Sequence, residues 1–122
     1  MSKASAFHSF MSGFGLTAYD ESNVPANAPL PYLTYTYSTG EFNGGEVALV
    51  INLWYKTESN ATPNAKVEEI YSAIGRGGVT IPVEGGAIWI KRGSPFAQSI
   101  TDPSDANVRR RYINLTAEFL TA

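Results

Sequence analysis

Apolar positions along this chain switch between two periods, and the switches mark its elements. Phe7, Phe10, Met11 and Phe14 follow the i, i+3, i+4, i+7 spacing of one helical face. A helix is expected over about Lys3–Ser12, with Ser2 as N-cap and Gly13 and Gly15 as stops. Its aromatic stripe reads as core packing. From Tyr19 to Pro31 the periodicity vanishes. Pro25, Pro29 and Pro31 remove backbone donors and block helix, so this is an extended connection, long enough to wrap across the body or a neighbouring subunit. A strand rich in Tyr and Thr follows at Tyr32–Ser38, then a hairpin loop at Gly40–Gly45. Glu46–Lys56 is the strongest strand of the chain. Val47, Leu49, Ile51, Leu53 and Tyr55 share one face, and Ala48, Val50, Asn52 and Trp54 share the other, so partial cover is expected there too.

Helical spacing returns with Val67, Ile70, Tyr71 and Ile74, predicting a helix over about Pro63–Ile74. Thr62 is the expected cap, Pro63 the first helical residue and Gly75 the stop, while Glu68 and Glu69 face water. After Gly75–Gly78, short strands at Val79–Val83 and Ala87–Lys91 meet around Gly85-Gly86. A further strand is read at Phe96–Thr101, a loop at Asp102–Asn107 around Pro103, and a last strand at Arg110–Leu120. The expected core is Leu49, Ile51, Leu53, Val67, Ile70, Ile74, Ile88, Ile90, Ile113, Leu115 and Phe119. This order describes one α+β domain over residues 1–122, a largely antiparallel β-sheet packed against two helices.

Composition narrows the function without naming it. A chain of 122 residues has room for one core, and 43% hydrophobic residues with 15 aromatic ones argue against disorder. The net charge of −2 gives no long-range attraction for nucleic acid or an anionic membrane. Without cysteine there are no disulfides and no thiolate metal sites. No signal-peptide core is visible at the N-terminus and no run approaches the ~18 apolar residues of a membrane span, so a cytosolic setting is expected.

Candidate chemistry is sparse. His8 is the single histidine and lacks sequence neighbours at metal or triad spacing. Gly75-Arg76-Gly77-Gly78 follows a helix and precedes a strand, the reverse of a phosphate-binding loop. Asp102 and Asp105 lack the ligand pattern of a calcium loop and read as turn formers, with Asp105 a candidate partner for a nearby arginine. No catalytic, cofactor-binding or metal-ligating residue is assigned. The densest charge is Arg109, Arg110 and Arg111, which with Lys91 and Arg92 forms one basic patch if their strands are neighbours. Alternation sends Arg110 to the face opposite Arg109 and Arg111. The cluster reads either as a solvated strand start or as a contact with a subunit, a channel or DNA phosphate; the acidic total favours a subunit. Glu41, Glu46, Glu68, Glu69 and Glu84 are the acids available to meet it.

Several stretches together resemble the tail terminators of long-tailed bacteriophages: the aromatic N-terminal helix, the Pro-rich lead into PYLTYTY, the strand VALVINLWYK, the helix NAKVEEIYSAIG and the closing GGAIWIKRGSPFAQSITDPSDANVRRRYINLTAEF. The likeness runs from Phe7 to Leu120 and carries no catalytic signature. It implies a non-enzymatic structural protein of the virion tail or neck, assembled in the host cytoplasm. Such proteins form rings, usually hexamers, that cap the tail tube and present a surface to the head connector, with DNA passing through the channel. The implied partners are therefore further copies of the chain, a tail tube protein and a connector. Another neck or head-completion protein of similar fold is the first alternative. The second is a small α+β ligand-binding domain or enzyme, with Asn52 beside Trp54 as its inward polar group.

Overall fold

The computed structural model describes residues 1–40, 42–101, 105 and 107–121. Two helices pack on one face of a single six-stranded sheet, ordered β1-β2-β3-β6-β5-β4. Helix α1 spans Lys3–Ser12, and its cap is as expected: Ser5 N–H donates to Ser2 Oγ at 3.1 Å. Strand β1 (Thr17–Asp20) leads into a single 3-10 turn at Glu21–Asn23, with Asp20 accepting from Ser22. Strand β2 covers Tyr32–Tyr35 and lies parallel to β1. The remaining pairings, through β3 (Glu46–Lys56), β4 (Val79–Val83), β5 (Gly86–Thr101) and β6 (Val108–Leu120), are antiparallel. The α+β class and the mostly antiparallel sheet expected from periodicity are what the chain adopts.

The sheet curls around its helices. Helix α1 touches both β1 and β4, the two edge strands, and Glu84 N–H donates to Met1 O at 2.8 Å. Helix α2 (Ala61–Ile74) lies over β5 and β6, and Lys66 Nζ reaches Phe14 O at 2.7 Å behind α1. Inside the curl, Leu49, Ile51 and Leu53 of β3 meet Ile113 and Leu115 of β6, with Phe7, Met11, Ile70 and Ile74 above them. Of the expected core residues, Val67 alone is only partly buried.

Several boundaries differ from the sequence reading. Helix α2 starts at Ala61, and its first-turn residue Pro63 is buried. Thr62 does not cap it; Asn60 occupies the cap position without a side-chain bond. Residues Thr17–Asp20 form a strand that the sequence reading did not include and that overlaps the start of the expected extended connection, and β2 stops at Tyr35 rather than Ser38. The two strands expected at Ala87–Lys91 and Phe96–Thr101 are one strand with an irregularity between Arg92 and Ala97. Pro103 and Asp102 of the expected loop, and Glu41, lie outside the described residues.

Gly86 starts β5 where two backbones nearly touch. A Cβ there would sit 2.1 Å from the carbonyl oxygen of Leu120, an atom held in the sheet. Gly86→Ala is therefore expected to part the end of the β5–β6 ladder and to cost about 1–3 kcal/mol, as overpacking does. A melting temperature equal to wild type would show that the C-terminal residues simply move aside.

Candidate functional site

The side of the sheet facing away from the helices bears the densest aromatic surface. Register decides its membership. Ala18, Leu33, Leu53 and Arg111 point inward, so Tyr19, Tyr32, Trp54, Arg110 and Tyr112 point outward from four neighbouring strands. Tyr19 meets Tyr32 edge-on at 5.6 Å, and Tyr32 stacks beside Trp54 at 6.2 Å. The Arg110 guanidinium lies 5.1 Å from the Trp54 ring and 5.8 Å from Tyr112. Two hydrogen bonds lock the row: Trp54 Nε1–H to Thr34 Oγ1 at 3.1 Å, and Arg110 Nε–H to Asn52 Oδ1 at 2.8 Å. All five side chains are half-buried by one another. No helix or strand among the described residues packs on this face; of the expected partial cover, Ala48 is exposed, while Asn52 is buried beneath Arg110 of the row.

The other end of the same face is ionic. Lys91 Nζ sits 3.1 Å from Glu46 and 3.3 Å from Glu118, and 4.3 Å from the Trp89 ring. Partial burial pulls the lysine pKa down, but the bonds to the two carboxylates outweigh it and the net shift is upward. Glu46 is lowered in turn, chiefly by the Lys91 hydrogen bond and then by Thr116.

The five basic residues singled out in the sequence do not form one patch. Strands β5 and β6 are neighbours, but Lys91 pairs with Thr116 and Arg92 with Leu115, whereas Arg110 pairs with Ile100. Six residues of strand, about 20 Å, separate Arg110 from Thr116. Arg92 stacks on Tyr71 at 3.4 Å and donates to Tyr71 O. Arg109 Nε–H and NH2 hold the carbonyls of Thr57 and Glu58 after β3, at 3.2 and 3.1 Å. Arg111 points the same way but is 4% exposed, bonded to Asn60 and Asn64 at the start of α2. Burial lowers its pKa, with the charge of Arg109 adding to the effect. Of the five, Arg110 alone lies in the aromatic row, and Lys91 lies at the ionic end of the same face.

Other candidates fall into place around these. Asp105 pairs with Lys56 at 3.8 Å, not with an arginine. Glu69 is engaged by Lys66 at 3.1 Å, while Glu68 and Glu84 are exposed. His8 Nδ1 is 2.8 Å from Tyr35 Oη. Among the described residues, no three His, Cys, Asp or Glu gather where they could hold a metal ion. Asn52 is buried but committed to Arg110, and it lines neither main cleft. The aromatic row was hidden in the sequence because Tyr19 belongs to the unexpected β1, and only register brings it to Tyr32 and Trp54. Comparison with protein-family models, with curated proteins and with solved structures finds no significant match to this chain.

Proposed function

We propose that this chain is a structural assembly protein of the bacteriophage tail-terminator kind, closing as a ring on the end of a tail tube. The observation that supports this most is the sheet face that no described helix or strand covers, bearing Tyr19, Tyr32, Trp54, Arg110 and Tyr112. Tyr, Trp and Arg are the residues that dominate binding energy at protein interfaces. Here they are fixed in one rigid row by hydrogen bonds and mutual packing, so little side-chain entropy remains to be lost on docking. The occupant of this face is another copy of the chain or the tube protein, and the ring is the hexamer implied by the resemblance. The head connector docks on the ring's other side, with DNA threading the channel. The site of action is the virion neck, after assembly in the host cytoplasm.

Tail tubes assembled from the same phage without a terminator provide the test. Added chain is expected to stop elongation and to appear as a ring at the tube end in negative-stain images. Ring closure needs no stable free oligomer, because the tube end raises the local concentration of bound subunits. Tubes that lengthen unchecked in excess chain would overturn the terminator role. Binding to isolated connector but not to tube would instead place the chain elsewhere in the neck.

A further inference from the structure

The cleft between α2 and the second half of β5 contains a positive charge that forms no ion pair with any described residue. Its volume is ≈ 430 Å³, and among the described residues Arg111 is the sole cation lining it. The guanidinium makes four hydrogen bonds: Nε–H and NH2 to Asn64 Oδ1 at 3.1 and 3.0 Å, NH2 to Asn60 Oδ1 at 2.9 Å, and NH1 to Arg110 O at 3.3 Å. Every acceptor is neutral. None of the ion pairs among the described residues includes Arg111. Neutral oxygens satisfy donors but leave the charge in place, and a buried charge is costly unless paired.

We propose that this cleft is a carboxylate-binding site with Arg111 as its anchor. Its remaining walls define the ligand. Tyr71 of α2 and Phe96 of β5 form an edge-on pair at 5.0 Å, an apolar flank for the stem of an acidic side chain. Glu68 also lines the cleft, which opposes a polyanion such as a nucleic-acid backbone and admits a single carboxylate. Beside the cleft, β5 has no strand partner among the described residues on its outer edge past Ile90, because β4 pairs only with Gly86–Ile90. An extended peptide can lie along such an edge while its acidic side chain reaches inward. The ligand class is therefore a glutamate or aspartate side chain on an extended polypeptide. The site stands independently of the ring-forming role, since it uses neither the aromatic row nor Arg110.

The probe is glutamate blocked at both its amino and α-carboxyl groups, with blocked glutamine as the neutral isostere. Wild-type chain is titrated while the Arg111 Nε–H resonance is followed by NMR. A saturable shift with the glutamate compound is expected, with Kd on the order of millimolar for one charge-assisted pair, and no shift with the glutamine compound. Asn64→Asp places a permanent carboxylate beside the guanidinium and is expected to weaken the response at least about tenfold. Asp in a first helical turn also favours the helix, so the binding response decides and melting temperature does not. Arg111→Lys keeps the charge but loses the one NH1 hydrogen that the Asn64, Asn60 and Arg110 oxygens leave free, and the same loss is expected. Sedimentation separates the sources. Self-association reversed by blocked glutamate identifies the acid as one on a second copy, and binding by a chain that stays monomeric assigns it to another polypeptide. Equal response to the two compounds, no saturable shift, or unchanged affinity in Asn64→Asp overturns the site.

Discussion

Ile113→Ala is expected to destabilise the fold by about 2–5 kcal/mol, the range of large-to-small changes in closed cores. Ile113 has no exposed surface and sits mid-sheet, paired with Ile51 on β3 and Ala97 on β5. A void there is hard to fill, because ladders on both sides hold the backbone while the helices close the third side. Val67→Ala should cost distinctly less, since Val67 lies at the margin of the core and lines the α2–β5 cleft. Urea unfolding measures both, and an unchanged m-value would confirm that the folded state alone was affected. A loss under about 0.5 kcal/mol at Ile113, the scale of surface changes, would mean that the inward face of β6 had been misassigned.

That inward face was legible because β3 and β6 are long enough to show four or five alternations each. Short elements gave no such signal. β1 holds only Thr17–Asp20 and is fixed by pairing with β2, a tertiary fact that four residues cannot announce. Pro63 marked the first turn of α2 correctly but not its first residue. The backbone N–H groups of the opening turn lack intrahelical partners, so proline is tolerated at more than one position there. Gly93-Ser94-Pro95 looked like a break, yet β5 runs through it. The irregular register absorbs the proline, and Gly93 lets the chains close up: a Cβ there would lie 2.6 Å from Asn114 O.

The candidate site was legible only in part. Alternation correctly divided Arg110 from Arg109 and Arg111. What it could not supply was register, which moves Lys91 and Arg92 away and gives Lys91 to Glu46 and Glu118. Nor does a run of three arginines suggest burial. Arg111 is buried because its strand continues beneath the start of α2, where Asn60 and Asn64 supply oxygens.

The same division makes Arg110→Glu the sharper test of assembly than reversal of all three arginines. Reversing Arg111 would put a carboxylate into a nearly closed site against Asn60 and Asn64, and reversing Arg109 would release the carbonyls of Thr57 and Glu58. Either change confounds folding with binding. Arg110 stands on the open face, where its loss removes one charge-assisted bond to Asn52 and the contacts with Trp54 and Tyr112. The expected cost to the isolated fold is about 1–3 kcal/mol, which a domain of ordinary stability survives. At a specific interface, a charge of the wrong sign costs several kcal/mol. Arg110→Glu is therefore expected to give a folded chain whose capping of tail tubes is weakened at least about a hundredfold, read as the concentration that halts elongation. Trp54→Ala should act in the same direction, since it removes the ring between Tyr32 and Arg110. Capping by folded Arg110→Glu chain at the wild-type concentration would sink the aromatic face as the assembly surface. A capping defect matched by an equal defect in Arg76→Glu, the same charge change on the exposed turn after α2, would show that the contact reads net charge rather than this row.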